Sequence, residues 1–300
     1  MPNQTPSASE ASRSTKVGFW LLFLFILSSF IVLAADALGP GHILDNSWTK
    51  NESFHYIWLW MFSWLVMPFC MYALVKSDKF TKAELRLAYG IPTVMWVTQL
   101  CAVVLYWVNM GIDPFPVPVR VAGIRVDWPG VIVSCCVGFT GYWFFINSVS
   151  RAQKVTALPK PFVLWGYSFV LLLTGLVIGI DTTSFWYGSA QVKSSQHGLF
   201  HALWANINLS CFCLLAAGLL QSHWSHFRKA NNIALIACVA PWLAYFLAPL
   251  AAGVFGIDLV SNHLLAQKTL PVHFGAVAGI ALMAISIVLW WIQKSSSSIK

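Results

Sequence analysis

The 300-residue chain is 58% hydrophobic and only 9% charged, with a mean hydropathy of +0.70, whereas a soluble globular domain carries roughly 25% charged residues. This composition excludes a soluble enzyme or binding module. Apolar runs of about twenty residues fit helices crossing a ~30 Å hydrocarbon core, and their lack of alternation excludes a β-barrel. The formal net charge of +8 follows the topology described below, so it is read as orientation signal and contact with anionic membrane lipids, with no nucleic-acid partner.

Residues 1–16, MPNQTPSASEASRSTK, are polar and serine-rich and predict a disordered cytoplasmic tail. The first apolar run, 17–35, resembles a signal peptide, with Arg13 and Lys16 ahead of it and Ala35-Asp36-Ala37 at its end. Its length of about 19 residues exceeds a usual signal core, so it is assigned as the first membrane helix. Seven more runs follow at 54–75, 87–108, 129–148, 162–180, 199–220, 233–256 and 270–292. The fold class is therefore an all-α polytopic membrane protein, a bundle of about eight transmembrane helices over 17–292, ending in a short cytoplasmic tail at 293–300. Pro68, Pro92, Pro241 and Pro249 fall inside these runs and predict local kinks. Trp107, Trp128, Trp186, Trp290 and Trp291 lie near run ends, as interface anchors do.

Alternating the loops places thirteen Lys and Arg residues on one side, among them Arg13, Lys16, Lys76, Lys79, Arg151, Lys154 and Lys294. The other side holds five: Lys50, Arg120, Arg125, Lys193 and Lys268. The richer side is expected to be cytoplasmic, which puts both termini there in a multi-pass protein of the cell inner membrane or plasma membrane. The longest loops lie outside, and GIDPFPVPVRVAGIRVDW predicts a small hairpin around Gly123. No internal repeat is evident in the sequence.

Histidine placement carries the functional signal. Six of the eight histidines, His42, His55, His197, His201, His263 and His273, fall in outer loops or outer helix ends. The acids Asp36, Asp45, Glu52, Asp113, Asp127, Asp181 and Asp258 share that side. In QHGLFHALWANINL, His197 and His201 are one helical turn apart and Asn208 continues their stripe. Polar side chains in membrane helices face the bundle interior. His55, His197, His201 and His273 are thus the candidate cofactor ligands, with Asp181 a further metal-ligand candidate. Imidazoles from neighbouring helices suit copper, iron or haem, and a carboxylate can complete the ligand set or orient an imidazole.

The bland alternative is that these histidines hydrogen-bond across the bundle or anchor at headgroups. His223 and His226, beside Arg228 and Lys229, read as an inner-leaflet headgroup patch. The seven cysteines lie in apolar runs without CxxC spacing and behave as small hydrophobes. Gly175/Gly179 and Gly275/Gly279 have the small-xxx-small spacing of helix interfaces.

These features predict an integral membrane subunit of a respiratory or oxygenase-like redox complex, an oxidoreductase component with a metal or haem near the outer leaflet. Partner membrane or periplasmic subunits and a membrane quinol are expected partners. A non-catalytic scaffold binding helices, pigments or lipids is one alternative, and a proton-coupled small-solute transporter is another. The charge bias is directly checkable. A green fluorescent protein fused after Lys300 is expected to fluoresce, and a periplasmic alkaline phosphatase fused there to be inactive; the reverse result would invert the orientation.

Overall fold

A backbone in hydrocarbon finds no water to bond, so each spanning segment must satisfy its own N–H and C=O groups, and a helix does so within one segment. The computed structural model describes residues 8–38, 48–110, 120–121, 124–125, 127–148, 159–189, 196–257 and 270–297. Its long helices are α1 (Ala8–Leu38), α2 (Lys50–Val75), α3 (Lys82–Met110), α4 (Asp127–Ser148), α5 (Pro161–Ser189), α6 (Gln196–His223), α7 (Ala230–Val254) and α8 (Leu270–Ser297). Helix thus extends beyond the apolar limits at both ends of the chain, into 8–16 and to Ser297.

Among the described residues, seven helices, α2 to α8, are long and apolar enough to cross a membrane. The chain is a polytopic helical membrane protein. The apolar part of α1 within the described residues, Thr15–Ile31, is shorter. Pro68, Pro92, Pro241 and Pro249 all lie inside continuous helices. The expected hairpin is present: β1 (Arg120–Val121) pairs antiparallel with β2 (Ile124–Arg125), Val121 opposite Ile124.

Two helix starts carry capping boxes. At α2 the Thr49 N–H donates to Glu52 Oε2 at 2.6 Å and the Glu52 N–H to Thr49 Oγ1 at 3.3 Å. At α3 Thr81 and Glu84 make the same exchange at 2.8 and 3.2 Å. Each box satisfies donors that a helix end otherwise leaves unpaired.

Helix adjacency reveals an organisation that the sequence pattern did not. α1 packs on α2 and α4, and α3 packs on the same two helices, so the first four helices close a ring in chain order. α5 packs on α6 and α8, and α7 on the same two, closing a second ring. The rings meet through α2 against α6 and α7, and through α3 against α6. Exchanging α2 with α6 and α3 with α7 maps this seam onto itself.

Hydrogen bonds repeat the same exchange. Trp58 Nε1 on α2 donates to the Pro241 carbonyl of α7 at 2.7 Å, and Trp204 Nε1 on α6 donates to the Met95 carbonyl of α3 at 3.1 Å. The sequence offset from Trp58 to Trp204 equals that from Met95 to Pro241. One residue on, Trp96 Nε1 donates to Ser29 Oγ of α1 at 2.6 Å, and Trp242 Nε1 to Thr174 Oγ1 of α5 at 3.0 Å. The fold is an internal duplication with approximate two-fold symmetry, which corrects the expectation of no repeat.

The outer surface follows from lipid contact. Trp20, Leu24, Leu27 and Ile31 form an exposed stripe on α1, and Phe162, Trp165, Phe169, Leu172, Leu176 and Ile180 form one on α5. Apolar windows in α2, α3 and α6 are each 61% buried, against 22% for α8. The seam helices are the core, and α8 is an edge.

Close packing in this fold depends on missing side chains. A Cβ on Gly279 of α8 would stand 2.5 Å from Cε3 of Trp242, and one on Gly138 of α4 would overlap the Phe25 ring. Such overpacking costs about 1–3 kcal/mol. Gly279→Val is expected to lower the thermal midpoint of the detergent-purified protein by several degrees, with Gly253→Ala, which meets nothing within 4 Å, close to wild type.

Candidate functional site

α2 and α6 run parallel and nearly in register at the seam. Glu52 of α2 lies against Gly198 of α6, Tyr56 against His201 and Trp204, and Phe62 against Phe212 with ring centroids 4.7 Å apart. At the N-terminal ends of the two helices the approach is close. Glu52 Oε2 stands 2.7 Å from where a Gly198 Cβ would be, and Trp48 Cδ2 stands 3.0 Å from it. Any residue but glycine at 198 would displace the carboxylate from its capping bond. That carboxylate, fully buried, sits over the first turn of α6, where the helix dipole favours negative charge.

Helical side chains lean toward the N-terminus, so His201 leans over the same turn. Its imidazole is 1% exposed and enclosed by rings. It stacks on Trp48 at 5.5 Å and 27°, and meets Tyr56 edge-on at 4.8 Å, Phe200 at 5.2 Å and Trp204 at 5.9 Å. His55, 2% exposed, is its counterpart on α2. It lies 5.4 Å from Phe54 and 6.1 Å from Trp58. Trp58 in turn contacts Tyr245 at 5.0 Å and Trp242 at 6.3 Å.

The segments Phe54-His55-Tyr56-Ile57-Trp58 and Phe200-His201-Ala202-Leu203-Trp204 are therefore equivalent pieces of the duplication. They face opposite ways. The indole beside His201 bonds to α3, whereas the indole beside His55 bonds to α7. Tyr56 and Ala202 are equivalents, and so are Glu52 and Gly198, so the first half supplies the bulk that fits the second half's gaps.

Of the residues expected to form the site, the structure buries His55 and His201 on touching helices. Asp181 lies in α5, His197 in the first turn of α6 and His273 in the first turn of α8. The side chains of these three are outside the described residues. α8 packs chiefly on α5 and α7, so His273 belongs to an edge helix of the second ring. Among the described residues no three His, Cys, Asp or Glu side chains group to hold a metal, and the seven cysteines are free.

Sequence reading missed Trp48, Tyr56, Trp58 and Trp204, and named Glu52 only as one of the acids on the histidines' side. The Thr49-x-x-Glu52 spacing is a capping-box signal, and the repeated Phe-His-x-x-Trp was visible once the two segments are set side by side. Asn208 does bridge helices, donating from Nδ2 to Thr98 Oγ1 at 3.1 Å. Asn206 is fully buried, and neither of its amide atoms has a hydrogen-bond partner among the described residues. At the other end of the bundle, His223 Nε2 lies 3.0 Å from Arg86 Nη1, tying α6 to α3, and Glu84 Oε1 accepts the Arg228 N–H at 2.8 Å. The patch read there as headgroup-facing is in part an interhelical tie.

Comparison with known protein families, curated proteins and solved structures finds no match to this chain. What the site can do must come from its own chemistry: two shielded imidazoles able to ligate a metal or carry a proton, one buried carboxylate, and walls of indole, phenol and phenyl rings.

The reciprocal indole bonds give a direct test of equivalence. Trp58→Phe and Trp204→Phe each remove one buried N–H donor while keeping a ring, and each is expected to destabilise the protein by about 1 kcal/mol. Thermal unfolding in detergent measures both, and a loss confined to one variant would contradict the pairing.

Proposed function

We propose that this chain is an integral membrane subunit of a redox complex, of respiratory or oxygenase-like type, whose histidines ligate a metal or haem near the outer leaflet. The observation that supports this reading is the pair of buried imidazoles, His55 and His201, held at equivalent places in the two halves among aromatic rings. Ionisable groups are rare within membrane helices and mark functional positions. An imidazole is also the commonest protein ligand for metals. His197, His273 and Asp181 lie on α5, α6 and α8, the second ring, and are proposed as further ligands on the same outer side. Copper, iron or haem is the group of choice for such donors. An outer-leaflet position gives access to a membrane quinol and to periplasmic electron carriers, and the short loops call for partner subunits. The proposed orientation is both termini cytoplasmic, in an inner or plasma membrane.

A transporter is the second reading, favoured by the duplication itself, since parallel repeats related about a membrane-normal axis recur among transporters. Against it, both histidines lie near the outer ends of their helices, away from the midplane where transporter sites sit.

The test is elemental analysis with the visible spectrum on protein purified in detergent without chelator, compared with His201→Ala. Stoichiometric copper or iron, or a haem band, reduced in the variant is expected. Solute-dependent proton flux in liposomes without bound metal would favour the transporter. Neither metal nor flux, with co-purifying subunits, would favour a scaffold.

A further inference from the structure

At the end of the seam away from Glu52, two different bonds join the halves, and one of them cannot survive an added proton. Glu84 of α3 accepts the Thr81 N–H of its own capping box on Oε2 and the Arg228 N–H on Oε1, each at 2.8 Å. Arg228 precedes Lys229, the N-cap of α7, which makes no side-chain capping bond of its own. One buried carboxylate thus serves the starts of both α3 and α7. Two residues on, Arg86 Nη1 lies 3.0 Å from Nε2 of His223, the last residue of α6. The Tyr142 side chain of α4 also bonds Arg86, holding the guanidinium from the first half.

A guanidinium only donates, so Nε2 of His223 is the acceptor, which requires a neutral imidazole with its proton on Nδ1. An imidazolium carries a proton on both nitrogens. The bond is then lost and two cations stand face to face. The ring is half-buried, so protons reach it. The charged groups acting on it are Arg86 and His226, whose ring centroid is 5.8 Å away, and neither can neutralise a second positive charge. Glu84 is engaged by its two backbone N–H groups. On the α7 side Arg228 and Lys229 are exposed and cationic. Asp78 and Lys79 lie in the turn between α2 and α3, and Tyr167 of α5, which reaches this end by stacking on Trp224 at 6.1 Å, carries no charge near neutral pH.

The arrangement occurs once in the duplication. By the offset that relates Trp58 to Trp204, Glu84 corresponds to Ala230, Arg86 to Asn232 and His223 to Ser77. Asn232 bonds within its own half, its Oδ1 accepting Trp290 Nε1 of α8 at 2.8 Å. The tie is therefore not a by-product of the two-fold arrangement.

We propose that Arg86 and His223 form a proton-sensitive latch between the two halves, closed while His223 is neutral and released when the compartment at this end turns acidic. Release leaves the Glu84–Arg228 bond to hold α3 to the start of α7. The released state binds protons more readily than the closed one, so acid shifts the equilibrium toward release. The latch needs no cofactor and stands apart from the redox reading.

Hydrogen exchange of residues 221–228 in the detergent-purified full chain, read by mass spectrometry and corrected for the intrinsic effect of pH on exchange, follows the latch. From about pH 7.5 to about pH 5.5, across the imidazole range, the wild-type segment is expected to exchange roughly tenfold faster, the effect of losing about one charge-assisted bond. His223→Gln keeps an acceptor that does not titrate and is expected to stay slow at both pH values. Arg86→Gln is expected to be fast at both, and His226→Gln to respond as wild type does. An acid response that persists in His223→Gln, or disappears in His226→Gln, would put the titrating group elsewhere and overturn the proposal, as would a wild-type segment insensitive to pH. If His223→Gln fails to fold, Arg86→Gln carries the test, because an acid response of wild-type size there would show that the tie is not what the proton breaks.

Discussion

The contact between α2 and α6 is close because Gly198 presents no side chain to Glu52. In a two-fold arrangement, a residue beside the axis meets its own equivalent, and two copies of a large side chain there would collide. Glutamate opposite glycine, and Tyr56 against His201 and Trp204 one turn further in, let the two parallel helices approach and bring α3 and α7 against them. The seam's other bonds depend on that approach. Trp58 reaches the Pro241 carbonyl, and Trp204 the Met95 carbonyl, only if the helices stand at this spacing.

Lipid determines what surrounds the seam. Some buried polar groups of α3 and α6 find partners inward, as in Thr98 with Asn208 and Trp96 with Ser29, while α1, α5 and α8 turn large apolar side chains outward. The hydrophobic effect does not drive helices together in hydrocarbon, so small residues and a few hydrogen bonds decide which faces meet. Gly138 under Phe25, Gly166 against Leu289 and Gly279 under Trp242 are such places. The Gly275/Gly279 spacing had marked one of them; Gly175 likewise packs near Ser210 of α6.

Helix positions were legible because length and hydropathy are local properties. So were the short hairpin, from its two β-branched runs, and the inward face of His201, from helical periodicity. The duplication was not legible, because the halves agree at few positions, among them Phe54-His55 with Phe200-His201, Trp58 with Trp204, and Trp96 with Trp242. Those positions are kept by contacts made between helices far apart in sequence. Which helices touch was equally hidden. His201 could be placed on an inward face on paper, but only the structure shows that Trp48 and Tyr56 from the other half enclose it.

Glu52 also bears on how this protein meets other chains. A true homodimer of one half could not keep a lone carboxylate at its axis, since its twin would arrive at the same spot with the same charge. Joining the halves in one chain lets that carboxylate stand alone, and that end of the seam is left lopsided. One half shows a carboxylate where the other shows only the backbone of Gly198, so the chain has no true two-fold there.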